Sequence, residues 1–209
     1  MSRVIVRSMM RTCCALLVVL NAGAQTQWRP LFDGKTLGGW RETQFRGGGK
    51  VRVADGVLLL PAGEPLSGVT WAGQFPQSGY EIRFEARRMK GNDFFASLTF
   101  PVGDSFCTWV MGGWGGDIVG LSSIDGWDAS DNETRNYVNF EEGRWYAMRL
   151  RVTSQRITAW IDEKQIVDVA ISGRAIGLRP GDIKLNTPLG FASYNTAGEL
   201  RKIEYRSVG

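Results

Sequence analysis

Hydrophobic and polar residues alternate with a period of two along most of the chain, and no long stretch shows the 3.6-residue period of an amphipathic helix. In YEIRFEARR, residues 80–88, Tyr80, Ile82, Phe84 and Ala86 fall on one side and Glu81, Arg83, Glu85 and Arg87 on the other. That pattern predicts a half-buried strand. Residues 145–152 repeat it, with Tyr146, Met148, Leu150 and Val152 opposite Arg149 and Arg151. VRVADGVLLL, residues 51–60, predicts a hairpin closed by Asp55-Gly56, a pair suited to a two-residue turn. Residues 156–161 and 165–169 predict a second hairpin around Asp162-Glu163-Lys164. Shorter strands are expected over 68–71, 94–100, 106–111, 117–121, 189–193 and 200–206, and residues 171–182 read as an irregular connector rich in Gly and Arg. Many short strands separated by turn signals predict an all-β sandwich of antiparallel sheets.

One stretch breaks the alternation. Residues 111–135 (MGGWGGDIVGLSSIDGWDASDNETR) combine glycines, two tryptophans, four aspartates and a Ser-Ser pair. Glycine allows close approach of a ligand, tryptophan offers a flat apolar face, and short carboxylates and hydroxyls offer hydrogen-bonding groups of the size a sugar uses. The segment is therefore expected to form the loop-rich working edge of the scaffold.

The N-terminus follows other rules. Arg3, Arg7 and Arg11 precede a short apolar run, CCALLVVL, and the small residues Ala22-Gly23-Ala24. This order predicts a secretory signal peptide over 1–24, with one domain over 25–209 and a secreted or periplasmic location. No later stretch is apolar enough for a transmembrane helix. Removing the leader takes three arginines and no acid, so the net charge of +4 falls to +1. Neither nucleic acid nor an anionic membrane is then an expected partner. Cys107 is left as a lone cysteine, so no internal disulfide is expected. The chain has no histidine, which excludes Ser-His-Asp and Cys-His catalysis and His-ligated zinc. Catalysis would fall to carboxylates, Arg, Lys or Tyr.

LFDGKTLGGW at 31–40, YEIRFEARRMKGND at 80–93, GRWYAMRLRVTSQRITAWIDEKQIVDV at 143–169 and PLGFASYNTAGELRKIEYRSV at 188–208 stand in the order of one known family. On these segments the chain resembles the bacterial 3-keto-disaccharide hydrolase domain family, related to family 16 glycoside hydrolases. The resemblance implies a concanavalin A-like jelly roll of two antiparallel sheets with its ligand site on the concave face or its rim. It implies a carbohydrate or keto-sugar ligand, and a glycoside or 3-keto-glycoside hydrolase-like activity. Of the family's polar positions, Glu85 and Arg87 are the pair that transfers. The central insert replaces the family's usual Glu-containing strand, and the paired-carboxylate motif of family 16 endoglucanases is missing.

The remaining candidates lie in the central loop. Trp114 and Trp127 could stack a sugar ring, or fold back to plug one end of the sandwich. Asp117, Asp125, Asp128, Asp131 and Glu133 could supply an acid and a base or hold Ca²⁺ through oxygen ligands, or could simply make Asx-turns. Asp125 and Asp128 are the preferred catalytic pair together with Glu85, and Arg87, Trp114, Asp117, Trp127, Asn132 and Arg135 are the expected substrate-binding residues. No cofactor is expected, and the aspartate spacing fits no EF-hand loop. A non-catalytic carbohydrate-binding or structural module is the alternative to an enzyme.

Overall fold

The computed structural model describes residues 27–209, so the expected signal peptide lies outside the described residues. Fifteen strands are present among these: β1 (Arg29–Pro30), β2 (Trp40–Glu42), β3 (Arg52–Ala54), β4 (Val57–Leu60), β5 (Leu66–Trp71), β6 (Tyr80–Lys90) and β7 (Ser97–Val102). There follow β8 (Ser105–Gly113), β9 (Ile118–Ser122), β10 (Asn136–Tyr137), β11 (Tyr146–Val152), β12 (Arg156–Ile161), β13 (Lys164–Ala170), β14 (Gly190–Tyr194) and β15 (Ala197–Ser207). One 3-10 turn, Asp182–Asn186, is the sole helical element among the described residues.

The strands form two antiparallel sheets. The first runs β13-β12-β11-β6-β15-β4-β3, with β1 added to the far half of β15, and the second runs β10-β9-β8-β7-β14-β5-β2. This is a jelly-roll sandwich. Its register follows from the alternation: β11 pairs β6 with Tyr146 opposite Ala86, Met148 opposite Phe84, Leu150 opposite Ile82 and Val152 opposite Tyr80. A slip of one residue would turn both apolar rows outward, so burial selects this pairing. The Asp55-Gly56 turn has positive φ at both positions, as the hairpin geometry requires.

The two sheets meet through aromatic rings. Phe84 of the first sheet packs edge-on against Phe191 of the second at 4.8 Å and against Trp109 at 6.4 Å. All three are buried, and each side chain of this size contributes about 2–3 kcal/mol by leaving water.

The other face of the first sheet is a lattice of ion pairs. Glu81, only 1 % exposed, accepts from Arg206 and Arg149 and forms a looser ion pair with Arg151 at 3.6 Å, while Glu204 holds Arg83 and Glu199 holds Arg87. Indoles cover these guanidinium groups: Trp28 lies under Arg83 and Arg206, Trp145 under Arg87 and Arg201, and Trp160 under Arg149.

The second sheet behaves differently. Leu98, Phe100, Cys107, Trp109, Met111 and Leu121 point into the core, while Ser97, Thr99, Thr108 and Ser122 alternate with them and face away from it. Those hydroxyl residues are also buried. The connector between β13 and β14, expected to be irregular, lies across this face. Ser123 and Gly177 exchange backbone hydrogen bonds, and Ser105 donates to the Ile176 carbonyl, which pins its near end. Thr70 donates to the Leu185 carbonyl, and Asn186 accepts from Thr43 at 2.7 Å, which pins its far end. Between the two anchors the chain arches over the sheet.

Candidate functional site

A cavity of about 370 Å³ lies under that arch, on the outer face of the second sheet. Its floor is Ser97, Thr108, Val110 and Ser122; Phe94, Tyr194 and Leu66 close one side, and Trp114 and Asp93 stand at the strand ends. The connector contributes Arg179, Pro180, Asp182 and Ile183. Small hydroxyl residues on the floor leave room that a row of Val or Leu would fill.

Asp93 is the half-buried carboxyl of the cavity. Its Oδ1 accepts from the Phe94 amide at 2.7 Å. Burial raises its affinity for a proton, although hydrogen bonds from the Phe94 and Trp114 amides oppose that rise. Among the described residues no cation is paired with it. The chain enters the cavity here rather than in β7: the sequence predicts a strand from residue 94, but regular pairing starts at Ser97. Before that point, Asp93 caps its own neighbour's amide and Phe94 spends its carbonyl on the Tyr194 amide.

Arg179 supplies positive charge. Its Nη1 lies 3.2 Å from Asp128 Oδ2, and its guanidinium sits 5.7 Å from the Trp114 ring. Asp128 Oδ1 in turn accepts from Ser122 Oγ at 3.0 Å. Asp128 thus links a floor hydroxyl to the arginine of the arch. Trp114 is 38 % exposed and holds a positive φ, which the neighbouring Gly115 and Gly116 share in a tight turn. Arg88 secures that turn by donating to the carbonyls of Gly116 and Phe140.

The structure brings Trp114 to the cavity wall and Asp128 to its edge. The other predicted residues stand elsewhere. Asp125 accepts from the Ala175 amide and from Arg174, which hold its carboxyl below the usual range. Arg174 also binds Glu133 at 2.7 Å, so these acids clamp the root of the connector. Asp125 and Asp128 therefore engage different arginines. Glu85 lies on the outer face of the first sheet; burial alone would raise its carboxyl, but Lys202 and Arg201 bring it below its ordinary value. Arg87 is on the same face. Asn132 is spent inside its loop, donating to the Leu121 and Trp127 carbonyls and accepting from Thr134. Asp117 is exposed ahead of β9, Arg135 donates to the Ser130 carbonyl, and Trp127 is 63 % exposed in the loop beside Asp128. Among the described residues no three Asp, Glu or Cys side chains gather closely enough to hold a metal ion.

Sequence reasoning passed over Asp93, Arg179, Asp182, Tyr194 and the hydroxyl floor. The floor left a signal: Ser97, Thr99 and Thr108 sit at the alternate positions of strands whose other positions are large and apolar. The connector residues left none, because nothing local says that an irregular segment folds over a sheet.

Fold and cavity together define a jelly-roll sandwich with a walled cavity on the outer face of one sheet. Residues 27–208 match the 3-keto-alpha-glucoside-1,2-lyase-like domain family, and the chain belongs to that family. No curated protein gives a significant sequence match. Solved structures with the same fold include the carbohydrate-binding module CBM66 of Bacillus subtilis, 10 % identical with a TM-score of 0.55 over 81 % of this chain and 96 % of that one. They also include the Crh5 transglycosylase in complex with NAG (13 % identity, TM-score 0.56, 89 % and 85 % covered). A third is the carbohydrate recognition domain of Emp46p in a metal-free form (12 % identity, TM-score 0.55, 84 % and 91 % covered). At these identities the likeness is one of fold. No helix among the described residues is long and apolar enough to cross a membrane.

Proposed function

We propose that the chain binds a 3-keto-α-glucoside under the arch and cleaves it by elimination across C1 and C2. The observation that carries this reading is the placement of Asp93 in the same cavity as Arg179: one carboxyl with raised proton affinity and one guanidinium. A ketone at C3 makes the C2 hydrogen acidic. Asp93 takes that proton, the C1–C2 double bond forms, and the bond from C1 to the glycosidic oxygen breaks. The same carboxyl then returns its proton to the departing oxygen, so charge and atoms balance. Arg179 faces the C3 oxygen, where negative charge develops as the C–H bond breaks. Asp128 keeps the guanidinium at the cavity edge, and Trp114 offers a face for the sugar's C–H surface. Residues 1–24 have the order of an export signal, which supports work outside the cytoplasm on glycosides met there.

The experiment is single-turnover cleavage of methyl 3-keto-α-glucoside by wild type and Asp93→Asn, followed by the absorbance of the conjugated enone. Wild type should form the enone, and Asp93→Asn should lose at least a hundredfold in rate while still binding the sugar. Equal rates would remove Asp93 from the chemistry. A second reading, a sugar-binding module without turnover, is favoured by the complete absence of histidine, the side chain best suited to proton transfer near neutral pH. Tight binding by wild type with no enone would select it.

A further inference from the structure

The cavity has two chemically different ends, and we infer that the group carried on the substrate's glycosidic oxygen is aromatic or otherwise apolar rather than a second sugar. This inference rests on the reading of the cavity as a keto-glycoside site and specifies what the far half of that site takes.

The polar end lies over β8 and β9. Thr108 and Ser122 are cross-strand partners there, Ser122 is bound to Asp128, and Asp128 holds Arg179. Thr108, Ser122 and Arg179 thus line this end of the cavity with two hydroxyls and a guanidinium, and Asp128 ties the last two together. Moving across the sheet through Ser97 on β7, the character changes at β14 and β5. Tyr194 and Leu66 are cross-strand partners at that end, Phe94 packs at 5.6 Å from the Tyr194 ring, and Ile183 comes down from the arch. The direction of the arch agrees with this polarity. It is anchored near Ser105 and Ser123 at one end and at Thr43 and Thr70 at the other, so Arg179 reaches the polar end and Ile183 the apolar one.

A hexose in the apolar half would bring hydroxyls against Leu66, Phe94 and Ile183, none of which carries a hydrogen-bonding side chain. Hydroxyls stripped of water without a partner are costly, and such sites reject them. Of the polar atoms at that end, the Tyr194 hydroxyl and the Asp182 carboxylate belong to solvent-exposed residues, and the Asp93 carboxyl beside Phe94 is engaged by the Phe94 and Trp114 amides. A flat ring has no such demand and removes apolar surface from water on both partners. The chemistry points the same way. A phenol departs as a much weaker base than a sugar alcohol, so one carboxyl suffices to assist it.

The test is calorimetric binding to Asp93→Asn, which removes turnover from the comparison. The ligands are phenyl 3-keto-α-glucoside, methyl 3-keto-α-glucoside and 3-keto-α,α-trehalose. The phenyl glycoside should bind at least tenfold tighter than the keto-disaccharide, and adding Leu66→Asn or Tyr194→Ser should bring that ratio within threefold. A disaccharide bound as tightly as the phenyl glycoside, or a ratio untouched by both substitutions, overturns the aglycone assignment while leaving the sugar site intact. If none of the three glycosides binds, the reading of the cavity falls and the assignment with it. Should either substitution prevent folding, the ratio measured without it still decides the matter.

Discussion

Gly198 offers the sharpest test of the packing that holds the cavity rim. It sits at the start of β15, where a Cβ would lie 1.9 Å from the Phe95 carbonyl oxygen and 3.3 Å from Phe95 Cβ. Non-bonded heavy atoms are most favourable at about 3.5 Å. Gly198→Ala must therefore open this contact by more than an ångström, and the obstacle is backbone rather than a flexible side-chain tip. Overpacking of this kind costs about 3 kcal/mol. For a domain of this size each kcal/mol lowers Tm by about 2–4 °C, so the variant should melt roughly 6–12 °C below wild type. Phe95 is buried and directly follows Asp93 and Phe94, so its displacement should also weaken ligand binding. Circular dichroism melts and calorimetric titrations measure the two effects. Gly177→Ala is the control, because a Cβ there meets nothing within 4 Å and its φ is not positive. A Gly198→Ala protein melting within a degree of that control would refute the argument.

Three further outcomes follow from the electrostatics and hydrogen bonds. Asp93 binds its proton more tightly in the folded state than in the unfolded chain, so its contribution to stability is greatest at low pH and declines as pH rises from the unfolded value through the raised folded one. Asp93→Asn should consequently melt higher than wild type at pH 7, with the gain vanishing near pH 3; a lower melting temperature at pH 7 would contradict this. Asp125 and Glu133 have the opposite sign: their lowered carboxyls stabilise above the unfolded value and lose that stabilisation as pH falls through the folded one. Arg174→Gln should make the acid limb of a Tm–pH curve shallower, and an unchanged limb would show that the clamp is idle. Thr43→Val removes the 2.7 Å donor to the buried Asn186 carboxamide, whose Nδ2 already lacks a partner among the described residues. A loss of about 1–3 kcal/mol in urea titration is expected, and a neutral result would mean that Thr70 alone holds the far anchor.

The sandwich was legible because strands write their burial into every second residue. Tyr80 to Ala86 and Tyr146 to Val152 name their own inner faces, and Asp55-Gly56 names its turn. The charged row from Glu81 to Arg87 was readable as polar, yet its place depended on which sheet it joined. It became an ion-pair lattice under three indoles, so Glu85 and Arg87 are neutralised there by Arg201, Lys202 and Glu199. The central loop was equally visible as irregular and polar. Its polar groups, however, were not all free: Asp125 holds the connector, Asn132 holds the loop, and Asp128 touches the cavity only through Ser122 and Arg179, while Trp114 lines it.

Period-two patterning thus settled the all-β class and most of the strands, since alternation is a local property that survives without neighbours. The cavity depended on long-range closure. Ser97, Ser122, Asp93 and Arg179 are far apart in sequence and meet only when seven strands align and residues 171–189 fold over them. What draws that segment across the sheet is a handful of hydrogen bonds and ion pairs to Ser105, Ser123, Asp125, Glu133, Thr70 and Thr43, and single contacts of this kind leave no periodic trace along a chain.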